Sequence, residues 1–301
     1  MPLAAFPKCF LEIICVDHTM TPEQWVDMAA TQLDIDGLEF FINFTPVDDP
    51  DHMLALRRQV ESHGLTIPMM CCSPDFTKPD AEGRREEIER QKRSIEATAF
   101  MGGTYCRVLS GQRRPDVPLE VGIRYAAECI RECIPHAEKH NIVLILENHY
   151  KDSFWSYPEM AQKMDAFLAL LDAVGTSPNF GVNYDPSNAV VAGDDPIVLL
   201  EAIKHRVVTM HASDRYFEGG ATFEDLKKLD ARPMAGYAGI LKHGIIGQGM
   251  NDYDRIFSIL AGVGFTGWVS IEDGQDPVVG MEHLKLSADF LRAKMKQHGL
   301  K

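Results

Sequence analysis

Short apolar runs alternate with longer amphipathic stretches along the whole chain, and this alternation constrains the fold more than any other feature. Eight runs have the character of strands: CFLEIIC (9–15), GLEFF (37–41), IPMMCCS (67–73), TYCRVLS (104–110), NIVLILENH (141–149), NFGVNYD (179–185), VVTMHAS (207–213) and WVSIEDG (268–274). Strands that alternate with helices indicate βα units and a parallel sheet. Eight such units in 301 residues predict an α/β fold, a (β/α)₈ TIM barrel. A doubly wound sheet is the alternative, because alternation alone does not prove closure.

The stretches between these runs carry helix signals. Thr21 has the character of an N-cap, with Pro22 in the first turn and Gln24 three residues after the cap. Pro135 lies inside the otherwise helical stretch YAAECIRECIPHAEKHN, where we expect a kink. No linker, low-complexity tract or short repeat interrupts the pattern. The sequence therefore predicts a single domain over residues 1–301.

The charge balance limits the partners of the chain. It has 44 acidic and 30 basic residues and a formal net charge of −14. We therefore expect neither nucleic acid nor membrane as a partner, because phosphate binding needs clustered Lys and Arg. No apolar run approaches a membrane span, and the start of the chain lacks a signal peptide pattern. Seven cysteines without CxxC pairs indicate reduced thiols, so we expect a cytoplasmic protein.

The last four predicted strands each end on a residue type that can bind a metal ion. These residues are Glu147, Asp185, His211 and Glu272. The active site of a (β/α)₈ barrel lies at the carboxyl ends of its strands, so four neighbouring strands can direct these side chains at one point. Three carboxylates so close repel one another unless a cation lies between them. Three oxygen ligands and one imidazole suit Mn²⁺, Mg²⁺ or Co²⁺ better than a structural zinc site.

Each of these residues also has an ordinary explanation when it is taken alone. A glutamate at a strand end is usually a loop carboxylate or a helix cap, and a histidine is usually a hydrogen-bond partner. Chance is a poor explanation for four consecutive strands that all end on ligand types. We therefore predict one divalent cation at this end of the barrel.

Several motifs resemble the xylose isomerase-like barrels, which include sugar phosphate isomerases and epimerases and family 2 apurinic endonucleases. The motifs are ENHYKD, NYDPSN, HASD, GIIGQGMNDYDRIFSIL and GFTGWVSIEDG. The resemblance covers almost the whole chain and is strongest after residue 141. It implies that Glu147, Asp185, His211 and Glu272 bind one divalent ion, with Mn²⁺ the first choice. It also implies that Glu147 and Glu272 are the acid/base pair.

The sequence departs from particular members of that group. Asn188 stands where ketose 3-epimerases carry a histidine, and Arg215 lies nearer to the histidine ligand than their arginine does. We expect Asn188 and Arg215 to contact a substrate in a different way from those enzymes. Asp214 and Glu218 do not clearly match the second metal site of xylose isomerases. The acidic charge balance argues against an endonuclease.

Four further residues complete the predicted site. His149 points to the same side as Glu147 in an extended chain, so it could act on a substrate or donate a hydrogen bond to a ligand. Asn183 should also face inward, where it could contact a sugar hydroxyl. Trp155 could stack on a sugar ring. Arg107 lies within a predicted strand, so its charge is expected to form a buried ion pair.

Together these features predict a metal-dependent enzyme that acts on a small carbohydrate with a carbonyl group. The ion would chelate the carbonyl oxygen and stabilise the enediolate formed when an α-proton leaves. Glu147 or Glu272 would take that proton, and the other or His149 would return it. Return on the opposite face gives epimerisation, and return at the neighbouring carbon gives isomerisation.

Departure of a β-substituent instead gives a lyase. This alternative includes keto-inositol dehydratases and the catalytic subunits of C-glycoside-cleaving enzymes that act on 3-keto sugars. The resemblance favours the epimerase or isomerase outcome, because a base shared by two carboxylate ligands is the commoner arrangement there. A non-catalytic sugar-binding barrel is a third interpretation. We expect a homo-oligomer, or a small second subunit if the C-glycoside-cleaving alternative holds.

Overall fold

A computed structural model describes residues 1–151, 155–230, 239–274 and 276–300 of the chain. Its strands are β1 (Leu3–Ala5), β2 (Gly37–Leu38), β3 (Phe40–Phe41), β4 (Met69–Cys71), β5 (Tyr105–Val108), β6 (Val143–Glu147), β7 (Phe180–Tyr184), β8 (Val207–Ala212), β9 (Arg215–Phe217), β10 (Leu241–His243) and β11 (Trp268–Ile271). Nine of them form one sheet in the order β2-β1-β11-β8-β7-β6-β5-β4-β3. All the pairings within this sheet are parallel.

The two ends of this sheet are two parts of the same barrel strand. Only Glu39 separates β2 from β3, and its backbone N–H still donates to Ala5. If β2 and β3 are counted as one strand, the sheet has eight strands, and these form a barrel that is almost closed. The prediction of a (β/α)₈ barrel is confirmed. The apolar core fills the barrel and the space between the strands and the surrounding helices.

Helices follow most of the barrel strands and lie outside them. They are α1 (Leu11–Cys15), α2 (Pro22–Gln32), α3 (Pro50–Ser62), α4 (Ala81–Phe100), α5 (Leu119–Lys139), α6 (Met164–Val174), α7 (Pro186–Ala192), α8 (Pro196–Ile203), α9 (Phe223–Asp230), α10 (Tyr253–Gly262) and α11 (Gly280–Gln297). The predicted cap of α2 is confirmed: Thr21 and Gln24 form a capping box. The helix α5 continues through Pro135 to Lys139. No helix in the described ranges combines the length and the apolar character needed to cross a bilayer.

The prediction of a strand over residues 9–15 was wrong. That run forms a short 3₁₀ helix, Lys8–Phe10, and then α1. The first barrel strand is instead β1, whose three residues are fully buried between β2 and β11. A short apolar run fits a strand and a buried helical turn equally well, and pairing with distant strands decides between them. The shift places Lys8 just beyond the carboxyl end of β1.

A pair of short antiparallel strands that the sequence did not indicate lies beyond the seventh barrel strand. Its strands β9 and β10 pair antiparallel, with Arg215 opposite His243. The pairing brings these two side chains together beside the carboxyl ends of the barrel strands. It therefore adds a wall to the end of the barrel at which the predicted ligands lie.

Candidate metal centre

The four predicted metal ligands lie together at the carboxyl ends of their strands. Glu147 ends β6, Asp185 follows β7 and caps α7, His211 lies in β8, and Glu272 follows β11. All four are buried, and each offers a ligand atom within 4.8 Å of the others. The structure therefore brings the set together in the way that the strand order predicts. Metal binding by these residues stays a prediction.

The two ring nitrogens of His211 have different surroundings. Its Nε2 lies 2.9 and 3.1 Å from the two carboxylate oxygens of Glu39. Its Nδ1 lies 2.9 Å from Glu272 Oε2 and 3.3 Å from Glu147 Oε1, yet it makes no hydrogen bond within the described ranges. A proton on Nε2 would be donated to Glu39 and would leave Nδ1 free to bind a cation. The donor set therefore fits a divalent ion.

The histidine and aspartate of this set have raised pKa values. Burial alone would lower the pKa of His211, but the carboxylates of Glu39, Glu147 and Glu272 raise it well above its usual value. The pKa of Asp185 is raised to about 7, first by burial and then by the charges of Glu272 and Glu147. An excess of negative charge contributes to both shifts. A bound cation would remove that excess and allow both groups to lose their protons.

Each glutamate of the set shares one oxygen with a basic side chain. Arg107 donates to Glu147 Oε2 at 2.8 Å, and Lys8 donates to Glu272 Oε1 at 2.8 Å. The other oxygen of each glutamate is the one that lies near His211 Nδ1. Burial opposes ionisation of Glu147, but His211 and Arg107 still lower its pKa to about 2. Both glutamates are thus held as carboxylates with one oxygen available to an ion. The buried ion pair predicted for Arg107 is confirmed.

A cavity of about 650 Å³ opens above Glu272. Basic and aromatic groups line it, among them Lys8, Arg107, His149, Tyr150, Arg215 and His243. Small-molecule sites commonly have volumes of about 300–1,000 Å³. The cavity can therefore hold a sugar or cyclitol together with a substituent of comparable size.

His149 lines this cavity and is held by a buried carboxylate. Its Nδ1 lies 3.1 Å from Glu159 Oε2. The other oxygen of Glu159 accepts from the backbone N–H of Ser110 at 2.7 Å and from its hydroxyl at 2.9 Å. The His149 ring also stacks on Tyr150, with 5.0 Å between centroids. A proton on Nδ1 would be donated to Glu159, which leaves Nε2 as the nitrogen that can accept a proton.

Arg215 lies on another wall of the cavity, as part of a second chain of contacts. Its Nη2 lies 3.1 Å from His243 Nε2, and His243 Nδ1 lies 2.7 Å from Asp273 Oδ1. The guanidinium carbon is 5.6 Å from the centre of the Tyr150 ring. These contacts hold Arg215 at the cavity, and its predicted contact with a substrate stays a prediction.

The other three predicted substrate contacts are Asn188, Asn183 and Trp155. Asn188 donates to Glu147 Oε1 at 2.9 Å, and Asn183 Oδ1 accepts from Thr209 at 2.8 Å. Trp155 is buried, with 8% of its surface exposed. None of the three is among the described residues that line the cavity. Their contact with a substrate stays a prediction.

The sequence interpretation missed several residues of the site. They are Lys8, Glu39, Glu159, His243 and Asp273. Glu39 had a readable signal, because it is the one charged residue in the apolar run GLEFF, as Glu147 is in its own strand. Glu159 lies in a long loop and His243 ends the short strand β10, and nothing in the sequence predicts their position.

Three kinds of comparison relate the chain to known proteins. A family model described as xylose isomerase-like TIM barrel matches residues 28–294. Inosose dehydratase from Clostridium tetani is 31% identical over 97 residues, which is 31% of this chain and only 30% of that enzyme. Inosose dehydratase from Mesomycoplasma hyopneumoniae is 23% identical over 260 residues, or 81% of each chain.

Two solved structures show the same fold. The structure of L-ribulose 3-epimerase has a TM-score of 0.74 at 14% identity and covers 99% of this chain and 95% of that one. The structure of the IOLI protein with a bound zinc atom has a TM-score of 0.68 at 20% identity and covers 100% of this chain and 97% of that one. At such identities the likeness concerns the fold alone.

Proposed function

The chain belongs to the xylose isomerase-like TIM barrel family, and we propose that it is a metal-dependent enzyme acting on a keto sugar or keto-cyclitol. The observation that carries this proposal is the convergence of Glu147, Asp185, His211 and Glu272 beside the cavity. A divalent ion in this set, with Mn²⁺ our first choice, would polarise a substrate carbonyl and stabilise the negative charge formed when an α-proton leaves. The buried His211 Nδ1 supports this ion, because it has no hydrogen bond within the described ranges.

The same site offers three possible bases, which are Glu147, Glu272 and His149. Glu147 and Glu272 would each have one oxygen on the ion and the other on Arg107 or Lys8, so neither is well placed to take a proton. His149 has Glu159 on its Nδ1 side and keeps Nε2 for the proton. We therefore propose that His149 removes the α-proton.

This assignment changes the preferred outcome from epimerisation to elimination. When His149 takes the proton, the electron pair of the C–H bond is delocalised onto the carbonyl group as an enolate. This pair then forms the double bond between the α- and β-carbons as the bond to the β-substituent breaks, and the departing group receives the proton from His149. That group could be a hydroxyl, as the name inosose dehydratase indicates for two relatives, or the larger aglycone of a 3-keto glycoside.

Epimerisation is the second candidate. The likeness to L-ribulose 3-epimerase and the placement of both Glu147 and Glu272 beside His211 Nδ1 support it. In that case a proton leaves one face of the substrate and returns on the other. His149 would then only orient a hydroxyl group.

Solvent exchange with a panel of substrates distinguishes the two candidates. The Mn²⁺-loaded protein would be incubated in deuterated water with keto-inositols, ketoses and 3-keto glycosides, and the products analysed by mass spectrometry and NMR. Elimination predicts loss of water or aglycone. Epimerisation predicts an inverted product that carries deuterium. No exchange and no product with any of the three classes would contradict an enzyme of this kind.

Two variants test the base. We expect His149→Ala to lower turnover by about 10²-fold or more while the bound metal stays in place. Glu159→Gln should have a smaller effect in the same direction, because it keeps the ring but weakens its orientation. His205→Ala, at an exposed histidine that does not line the cavity, is the matched control. Deuterium exchange that survives in His149→Ala would move the base to the glutamates and favour the epimerase.

A further inference from the structure

A second group of metal-binding side chains lies on the outside of the barrel. Glu96 is in α4, His136 is in the last turn of α5, and His140 caps that helix. Each offers a ligand atom, and the three atoms lie within 4.8 Å of one another. His136 and His140 are four positions apart, so both project from the same face of α5. The packing of α4 against α5 supplies the third ligand.

The contacts within this group leave one nitrogen unsatisfied. His136 Nε2 lies 3.0 Å from Glu96 Oε1. The rings of His136 and His140 are 4.7 Å apart at an angle of 38°. His140 Nε2 is buried, yet no hydrogen-bond partner for it lies within the described part of the chain. Most buried polar atoms in proteins have such a partner. An ion held by Glu96 and His136 would provide one.

The group lies at the end of the barrel opposite the cavity. In a (β/α)₈ barrel the helices run antiparallel to the strands, so the carboxyl end of a helix is far from the carboxyl ends of the strands. His136 and His140 are at the carboxyl end of α5, and Glu96 is near that of α4. This end of such barrels serves stability, whereas the other end carries the chemistry.

We propose that Glu96, His136 and His140 form a second, structural metal site that binds one Zn²⁺ and fastens α4 to α5. Two imidazoles and one carboxylate suit Zn²⁺, Ni²⁺ or Cu²⁺, whereas ions that prefer oxygen ligands fit the three carboxylates at the cavity. Metal–ligand distances of about 2.0–2.2 Å require the three atoms to approach one another slightly, which surface side chains can do. Water would fill the remaining position.

Zinc titration of the full chain tests this site. Protein stripped with a chelator would be titrated with zinc chloride by calorimetry, as wild type, His140→Ala and His205→Ala. His205 is an exposed histidine that follows α8 and serves as the matched control. We expect the wild type and His205→Ala to bind one zinc equivalent more than His140→Ala. The ligands at the cavity are the same in all three proteins, so the difference isolates the outer site.

A second variant covers the chance that His140→Ala disturbs the end of α5. His136→Gln keeps a polar side chain inside the helix and removes one ligand. We expect its zinc affinity at the outer site to fall at least about tenfold, because the loss of a partner that merely orients a ligand already costs that much. Zinc should also raise the melting temperature of the wild type by more than that of His136→Gln.

Equal zinc stoichiometry and affinity in the wild type and His136→Gln would overturn the proposal. Glu96 and His136 would then form only a surface ion pair, and His140 would lie beside it without a metal ion. Cobalt provides an independent readout. A new visible absorption band in Co²⁺-loaded wild type that is absent from His136→Gln supports the site, and identical spectra count against it.

Discussion

The two ends of the barrel contain groups of the same residue types in opposite environments. At the cavity, Glu147, Asp185, His211 and Glu272 are each at most 4% exposed. At the other end, the side chain of Glu96 is 52% exposed and that of His136 is 21% exposed. Burial removes the water that would otherwise stabilise charge, so the inner group is costly without a cation. The outer group is partly exposed, so this cost is smaller there.

This difference separates the two proposed roles. The inner carboxylates retain an excess of negative charge, which Arg107 and Lys8 only partly neutralise. A bound ion there would dominate the local field and could assist a reaction. The outer ligands are partly exposed, and an ion there would mainly join two helices. The same substitution should therefore have very different effects at the two ends.

The largest expected effect comes from replacing the histidine of the inner group. We expect His211→Ala to lose most of its bound metal and to lower turnover by at least about 10²–10⁴-fold, since the metal and the orientation of the glutamates are both affected. His140→Ala is the matched variant at the other end and should leave turnover unchanged. Elemental analysis and steady-state kinetics measure both. Full turnover in metal-depleted His211→Ala would contradict the proposed role of the ion.

The next effect concerns the ion pair between Lys8 and Glu272. In the chelated protein, Lys8→Met leaves a buried carboxylate without its partner, so the free energy of unfolding should fall by about 3 kcal/mol. A divalent ion should restore most of this loss, because it takes over the charge of Glu272. Lys92→Met at the exposed pair with Glu89 is the control and should cost about 0.5 kcal/mol. Chemical denaturation with and without metal measures the loss of unfolding free energy in both variants. Equal losses would contradict the greater cost of an unpaired charge at the buried site.

A smaller effect is the pH dependence of stability in the chelated protein. The folded pKa of Asp185 is raised to about 7 and that of His211 well above its usual value. Both groups therefore take up protons on folding, so their contribution to stability falls as pH rises. For Asp185 the fall spans its unfolded and folded pKa values, from about 4 to 7, and for His211 it begins near 6.5.

A divalent ion displaces these protons and reverses that trend. We expect the rise in melting temperature on adding Mn²⁺ to grow with pH between about 5 and 8. Thermal unfolding with and without a chelator across this range measures it. A metal-induced shift that stays constant with pH would contradict the pKa assignments of Asp185 and His211.

The smallest effect is expected at the outer group. Glu96→Gln should change the free energy of unfolding without zinc by no more than about 0.5–1 kcal/mol, because an exposed ion pair contributes little. Turnover should stay at the wild-type level. A loss of turnover in Glu96→Gln would show that the two ends of the barrel are coupled. This result would contradict their separate roles.

The sequence predicted the position of residues in the longer strands, which have a clear apolar pattern. It did not predict the position of residues that depend on contacts with distant parts of the chain. The run LILE fixes β6 and the position of Glu147, and the same holds for His211 in VVTMHA. The run at 9–15 failed because β1, with only three residues, depends on pairing with β2 and β11. No local pattern records that pairing.

The same reason explains what was missed at the site. Lys8 directly precedes the run 9–15 that the sequence wrongly predicts as a strand, so its contact with Glu272 could not be foreseen. His243 meets Arg215 through the pairing of β9 with β10, and Glu159 meets His149 across a loop. Both contacts depend on the tertiary fold and not on a local sequence pattern. A lone charge in an apolar run remains the most useful local signal, and it identifies Glu39 as well as Glu147.

Glu39 and Lys8 also restrict the order in which the chain can assemble its ligands during synthesis. Glu39 contacts a histidine 172 positions later, and the partner of Lys8 lies 264 positions away. The strand β1 likewise depends on β11 for one of its two edges. Contacts of such long range form late, because the intervening chain must first be ordered. A nascent chain that ends before β11 therefore has an unpaired strand edge and an incomplete ligand set at the cavity, and we expect it to capture no metal there. Metal capture at the cavity would then mark a chain that has reached Glu272.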